Sequence, residues 1–155
     1  MNTVDNLDAE LVAAFPAIAL ERASINEPTS LWDVYDDHAE IVALAGKTWR
    51  ELPSELLFRH PSLLVYAGDG LFRAVLPAYL RYLLHERERF NALPFQVAGQ
   101  LTRTSDPDRH KKFDRRIALL TAPQRAVIRN VLELLSTVRP MEEPMTEALA
   151  TWKQL

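Results

Sequence analysis

The chain has 155 residues, 48% of them hydrophobic and 25% charged, proportions of a single ordinary globular domain rather than of a disordered chain. The lack of cysteine excludes disulfide frameworks, thiolate metal sites, iron–sulfur clusters and a cysteine nucleophile, and four glycines leave almost no room for a Gly-rich phosphate loop. The net charge of −3 hides a division: residues 1–69 carry twelve acids and four bases, residues 70–139 six acids and thirteen bases.

Leu7, Leu11 and Phe15 recur every four residues and predict a first helix, capped by Asp5 or Asn6 and stopped near Pro16. Residues 20–29 read as a loop. From an N-cap at Ser30, the residues Leu31, Val34, Tyr35, His38, Ile41, Val42 and Ala45 form one apolar stripe, ended by Gly46. Pro53-Ser54 opens a short helix through Leu57, and His60-Pro61 starts another short segment to Tyr66. Gly68-Asp69-Gly70 reads as a turn and 71–75 as irregular or extended. Pro77 then suits the first turn of a helix running to about Glu88.

Leu93, Val97 and Leu101 predict the next helix. Residues 102–110 lack a large apolar side chain and read as an exposed loop before a short helix with Phe113, Ile117 and Leu120. Thr121-x-x-Gln124 matches a capping box, and Val127, Ile128, Val131, Leu132, Leu135 and Val138 continue a broad apolar face to Pro140. Pro144 opens a last helix with Leu149, Trp152 and Leu155 on one side. The expectation is a mainly α fold, one multi-helix domain over residues 1–155, with at most a small hairpin near 63–75.

Two charged constellations stand out. Asp33, Asp36, Asp37 and Glu40 lie opposite the apolar stripe of their helix at spacings of three and four, with no lysine or arginine between residues 23 and 46. Like charges so spaced repel by a few tenths of a kcal/mol per pair, and they run beyond the first turn where a helix dipole favours acids. They read as a solvated face, as an acidic ridge for a partner protein with a basic surface, or as carboxylates for a divalent metal. If the ridge is solvated, lysine at positions 37 and 40 should leave stability unchanged or slightly raised. The second constellation, Arg109, Lys111, Lys112, Arg115 and Arg116, is an anion or nucleic-acid contact, a solvated face, or the internal partner of the acidic half. A negative net charge and the lack of a nucleic-acid-binding motif weigh against nucleic acid.

The histidines at 38, 60, 85 and 110 include no pair at the helical spacing of a metal site. No nucleophile elbow is present, and no group of residues fills nucleophile, base and orienting roles together. No catalytic residue, metal ligand or cofactor is therefore assigned. The first ten residues have no basic start or apolar run of the kind a secretory signal needs, and no stretch approaches the length of a membrane span. The expected location is cytoplasmic.

Phe15 after a short acidic helix, Trp49-x-x-Leu52-x-x-x-x-Leu57, Leu76-Pro77-Ala78-Tyr79-Leu80, and Leu120-Thr121-x-x-Gln124-x-x-Val127 with Leu132-Glu133 together resemble a bacterial family of small helical proteins filed as a domain of unknown function. The likeness covers roughly residues 7–138. It implies an all-helical fold and brings no catalytic residues with it. The small, site-poor character is similar to that of bacterial immunity proteins, which bind and block a toxin. The functional expectation is a non-enzymatic protein-binding domain of that immunity or antitoxin kind. The alternatives are a metal-dependent enzyme using the Asp33–Glu40 carboxylates and a nucleic-acid-binding protein using residues 103–116.

Overall fold

The computed structural model describes residues 3–25, 38–87, 89, 92–138 and 142–155. In chain order the described helices are α1 (Val4–Ala14), α2 (Arg22–Ile25), α3 (His38–Val42), α4 (Ser54–Arg59), α5 (Ser62–Tyr66), α6 (Asp69–His85), α7 (Leu93–Leu101), α8 (Pro107–Ala118), α9 (Ala122–Leu135) and α10 (Glu142–Trp152), with a 3₁₀ turn at Trp49–Glu51 before α4. Well over half of the described residues are helical and none is in a strand, so the mainly α expectation holds. No described helix is long and apolar enough to cross a membrane.

Helix α6 is the hub. Its buried positions, from Leu71 through Val75, Leu76, Tyr79 and Leu80 to Leu84, surround its axis rather than forming one stripe. A helix that is apolar on most sides must be covered on most sides, and α1, α4, α5, α8 and α9 all pack on it. Helix α9 lies against α1, α6 and α10, with Ile128, Leu132 and Leu135 fully buried. The predicted capping box is present: the Thr121 N–H donates to Gln124 Oε1 at 3.0 Å, and the Gln124 N–H donates to Thr121 Oγ1 at 3.4 Å.

Several local expectations are corrected. Thr3, not Asp5 or Asn6, caps α1, its hydroxyl accepting from the Asn6 N–H. The loop expected at 20–29 contains the one-turn helix α2. Segment 63–75 is two helices joined at Ala67-Gly68: α5 covers Ser62–Tyr66, and α6 begins at Asp69, so Pro77 sits inside the helix about two turns from its start. Helix α8 starts at Pro107, six residues before Phe113, because the Asp106 carboxylate accepts from the N–H groups of Asp108 and Arg109. Helix α9 ends at Leu135, and Leu155 lies beyond α10 with 55% of its surface exposed. The helix expected to run to Gly46 ends at Val42, and Gly46 closes the turn that follows it, in a backbone with φ of +84° that favours glycine. Ser30 and residues 31–37 of the expected 31–45 helix lie outside the described residues; 38–42 is helical.

The ends of two helices are closed by side chains from elsewhere. The last carbonyls of a helix have no partner within it. At α1 they are met by the Arg50 guanidinium (Val12 O, 2.9 Å), the Gln124 amide (Ala14 O, 3.1 Å) and the Trp49 indole (Phe15 O, 3.2 Å). At α5, the Lys112 ammonium meets Val65 O at 2.7 Å, and Arg116 meets Ala67 O at 2.6 Å. These two closures fix the walls of the two concave surfaces considered below.

Candidate functional site

The expected acidic ridge is described at only one of its four residues. Asp33, Asp36 and Asp37 lie outside the described residues. Glu40, on α3, meets Arg59 Nη2 at 2.6 Å and the buried His60 Nε2 at 2.8 Å. The hydrogen bond from His60, followed by the nearby Arg59 charge, holds the Glu40 carboxyl below its ordinary value. Glu40 therefore ties α3 to the end of α4, and its charge is answered within the fold.

The charge division of the sequence is partly neutralised in the same way. Asp8 pairs with Arg81 at 2.7 Å, Asp69 with Arg115 at 3.0 Å, and Glu55 approaches Arg89 at 3.7 Å. Each joins an acid of the first half to a base of the second. Within the basic segment, Asp114 is shared by Arg103 at 3.1 Å and His110 at 3.3 Å.

The five basic candidates on α8 separate into different environments. Arg109, Lys112 and Arg116, at spacings of three and four, line one cleft of about 330 Å³ between α8, α7 and the end of α5. Arg115 points to Asp69 instead, and Lys111 is exposed. Arg116 is 2% exposed. Its guanidinium donates to Ala67 O and Gln100 Oε1, lies 3.5 Å from Asp69 and sits over the Phe72 ring, 4.1 Å from its centroid. Burial lowers its pKa to about 10, which leaves it charged at neutral pH. Arg116 is thus a wall of the cleft as much as a face of it.

A second concavity, of about 190 Å³, was not legible in the sequence. It is lined by Phe15, Pro16, Ile18, Trp49, Leu119 and Gln124, together with Gly70, Arg73, Ala74 and Pro77. The last four recur at i, i+3, i+4 and i+7 on α6, one helical face, and three of them are small or ring-closed, so the surface is hollow there. Ile18 is 56% exposed and Leu119 40%. Arg73 is the one charged residue in this lining, and it forms no ion pair with any acid among the described residues.

Among the described residues no three histidine, aspartate or glutamate side chains gather as metal donors. No curated protein and no solved structure matches the chain. A family model described as a family of unknown function, DUF6714, matches residues 3–154, so the resemblance read from the motifs holds and the chain belongs to that family.

Proposed function

We propose that this protein is a non-enzymatic binding domain that recognises another protein through the groove between the end of α1, α6 and the α8–α9 junction. The observation that carries this reading is the convergence of Ile18 and Leu119, two large apolar side chains left in solvent, on a single apolar groove. Scattered apolar residues on a surface need no explanation, but a contiguous apolar hollow marks an interaction site. The walls are held by the Trp49 and Gln124 bonds to the end of α1, so the groove is formed before anything enters it, which lowers the ordering cost of binding.

The occupant follows from the charge of the groove. Its lining contains Arg73 and no acid, so the best complement is a protein segment that places an apolar side chain in the hollow and a carboxylate beside Arg73. This differs from the basic partner that the acidic ridge implied, since the described part of that ridge, Glu40, is engaged by Arg59 and His60. The finer form of the proposal is neutralisation of the bacterial immunity or antitoxin kind, in which the domain blocks its partner by covering it. It rests on the likeness of character noted for the sequence.

The test is affinity capture from the source cells with the wild-type chain and with Ile18→Glu and Leu119→Glu. The captured protein is then purified and titrated against each form. The proposal expects one stoichiometric partner whose affinity falls at least about tenfold in each variant, the size of losing an anchoring apolar contact. Equal affinity for all three forms would refute it.

A further inference from the structure

The cleft under α8 is separate from the groove just described, and none of its lining residues is shared with it. We propose that this cleft is a binding site for a phosphate group, carried by a small phosphate monoester. Three observations support it: three cations on one wall, amides facing them, and no carboxylate in the lining.

The cations are organised before a ligand arrives. Arg116 is locked by Ala67, Gln100 and the Phe72 ring, so its charge lies fixed at the base of the cleft. Lys112 uses one of its donors on Val65 O; an ammonium has three, and the others are left for a ligand. Arg109 is exposed at the mouth and has no ion-pair partner among the described residues. Burial, and then the Arg116 charge, lower the Lys112 pKa. Asp69 is shared between Arg115 and Arg116 and lies outside the lining, as do Glu143 and Glu147, which line the adjoining hollow that also borders Arg109.

Helix α7 supplies the facing wall with Gln96 and Gln100, one helical turn apart. Because Gln100 Oε1 accepts from Arg116, its amide nitrogen is the end left to donate. Donors from an ammonium, a guanidinium and side-chain amides approach from two helices. That arrangement suits a tetrahedral group with three terminal oxygens better than a planar carboxylate, which prefers a paired fork. The volume of about 330 Å³ falls at the small end of ligand sites and encloses a single group, whereas a nucleic-acid backbone needs an extended basic track.

The test is a heteronuclear NMR titration of the full chain, which follows the side chains of Arg109, Lys112, Gln96 and Gln100. The probes are inorganic phosphate, phenyl phosphate, acetate and a short single-stranded DNA, all at constant ionic strength. The proposal expects saturable shifts at these four side chains with the two phosphate probes, and weaker or no shifts with acetate. Lys112→Gln and Arg109→Gln should each weaken phenyl phosphate at least about fivefold, the size of one charge-assisted bond, while Arg115→Gln, whose partner is Asp69, should leave it unchanged. Thermal unfolding of each variant shows whether the fold is kept; if Lys112→Gln melts early it is replaced by Lys112→Met, and the exposed Arg109→Gln carries the test on its own side chain. Three results would overturn the proposal: no saturable shift at these side chains with either phosphate probe; acetate binding as well as phosphate; or DNA binding more tightly than phenyl phosphate with an equal loss in Arg115→Gln, which would make the helix a general nucleic-acid surface.

Discussion

The Trp49 indole N–H donates to the Phe15 carbonyl at 3.2 Å across 34 residues of sequence. It closes the end of α1 and places both side chains in the wall of the apolar groove. Trp49→Phe keeps most of the packing but leaves a buried carbonyl without that donor. The expected loss is about 1–3 kcal/mol of stability, read as a lower urea midpoint at unchanged slope. Loss of slope would mean that the variant alters compactness rather than this bond.

Arg116 is expected to be a stability residue before it is anything else. Arg116→Ala removes the donor to Ala67 and Gln100 and leaves Asp69 with only the more exposed Arg115. Breaking a buried charged network of this kind costs on the order of 3 kcal/mol. Arg116→Lys should recover only a small part, because an ammonium cannot bond both oxygens and stack on Phe72 together. Equal stability of the lysine variant and wild type in denaturant titration would contradict this account.

Glu40 gives a pH dependence with a defined sign. Its carboxyl is held below the ordinary 4.5 by the His60 hydrogen bond and the Arg59 charge. A carboxyl depressed in the folded state adds stability above its unfolded pKa and loses that stability as pH falls through the folded value. The wild type should therefore lose stability below about pH 4.5 more steeply than Glu40→Gln, measured by unfolding at a series of pH values. Glu40→Lys should lower stability near neutral pH as well, contrary to the neutral outcome expected for a solvated ridge, because it sets a cation against Arg59 and His60.

The readable parts of the fold were those in which cause and effect lie within one turn. Thr121 and Gln124 cap each other three residues apart, and Gly46 closes the turn after α3 through its own backbone. Asp106-Pro107 carries the same kind of signal, a capping acid followed by proline at the first helical position, but it was hidden in a stretch without large apolar residues. Pro77 misled for the opposite reason. Segment 71–84 is apolar on nearly every side, so periodicity could not show that the helix had already begun at Asp69. Of the candidate sites, the basic run on α8 was legible as composition. Its separation into a cleft-lining set and a surface set was not, since that depends on where α5 and α7 lie. The apolar groove joins residues 18, 49, 73 and 119, and no local pattern connects them.

Thr121→Ala should destabilise the chain by about 1 kcal/mol through loss of the α9 cap. Ile18→Ala and Leu119→Ala should change stability by no more than about 0.5 kcal/mol, as exposed positions do. Differential scanning calorimetry on the three variants checks both. A large loss at Ile18 or Leu119 would show that these side chains support the fold rather than await a partner.

Photo-crosslinking in the source cells tests the partner-binding groove most directly, with a photoreactive residue at position 119 in one form of the chain and at exposed position 111 in another. The account predicts a crosslink from position 119 to one protein, mapped to a peptide with an apolar residue beside an acid, and no crosslink to that protein from position 111. Crosslinks to the protein from position 111 but not 119, or from neither, would contradict it.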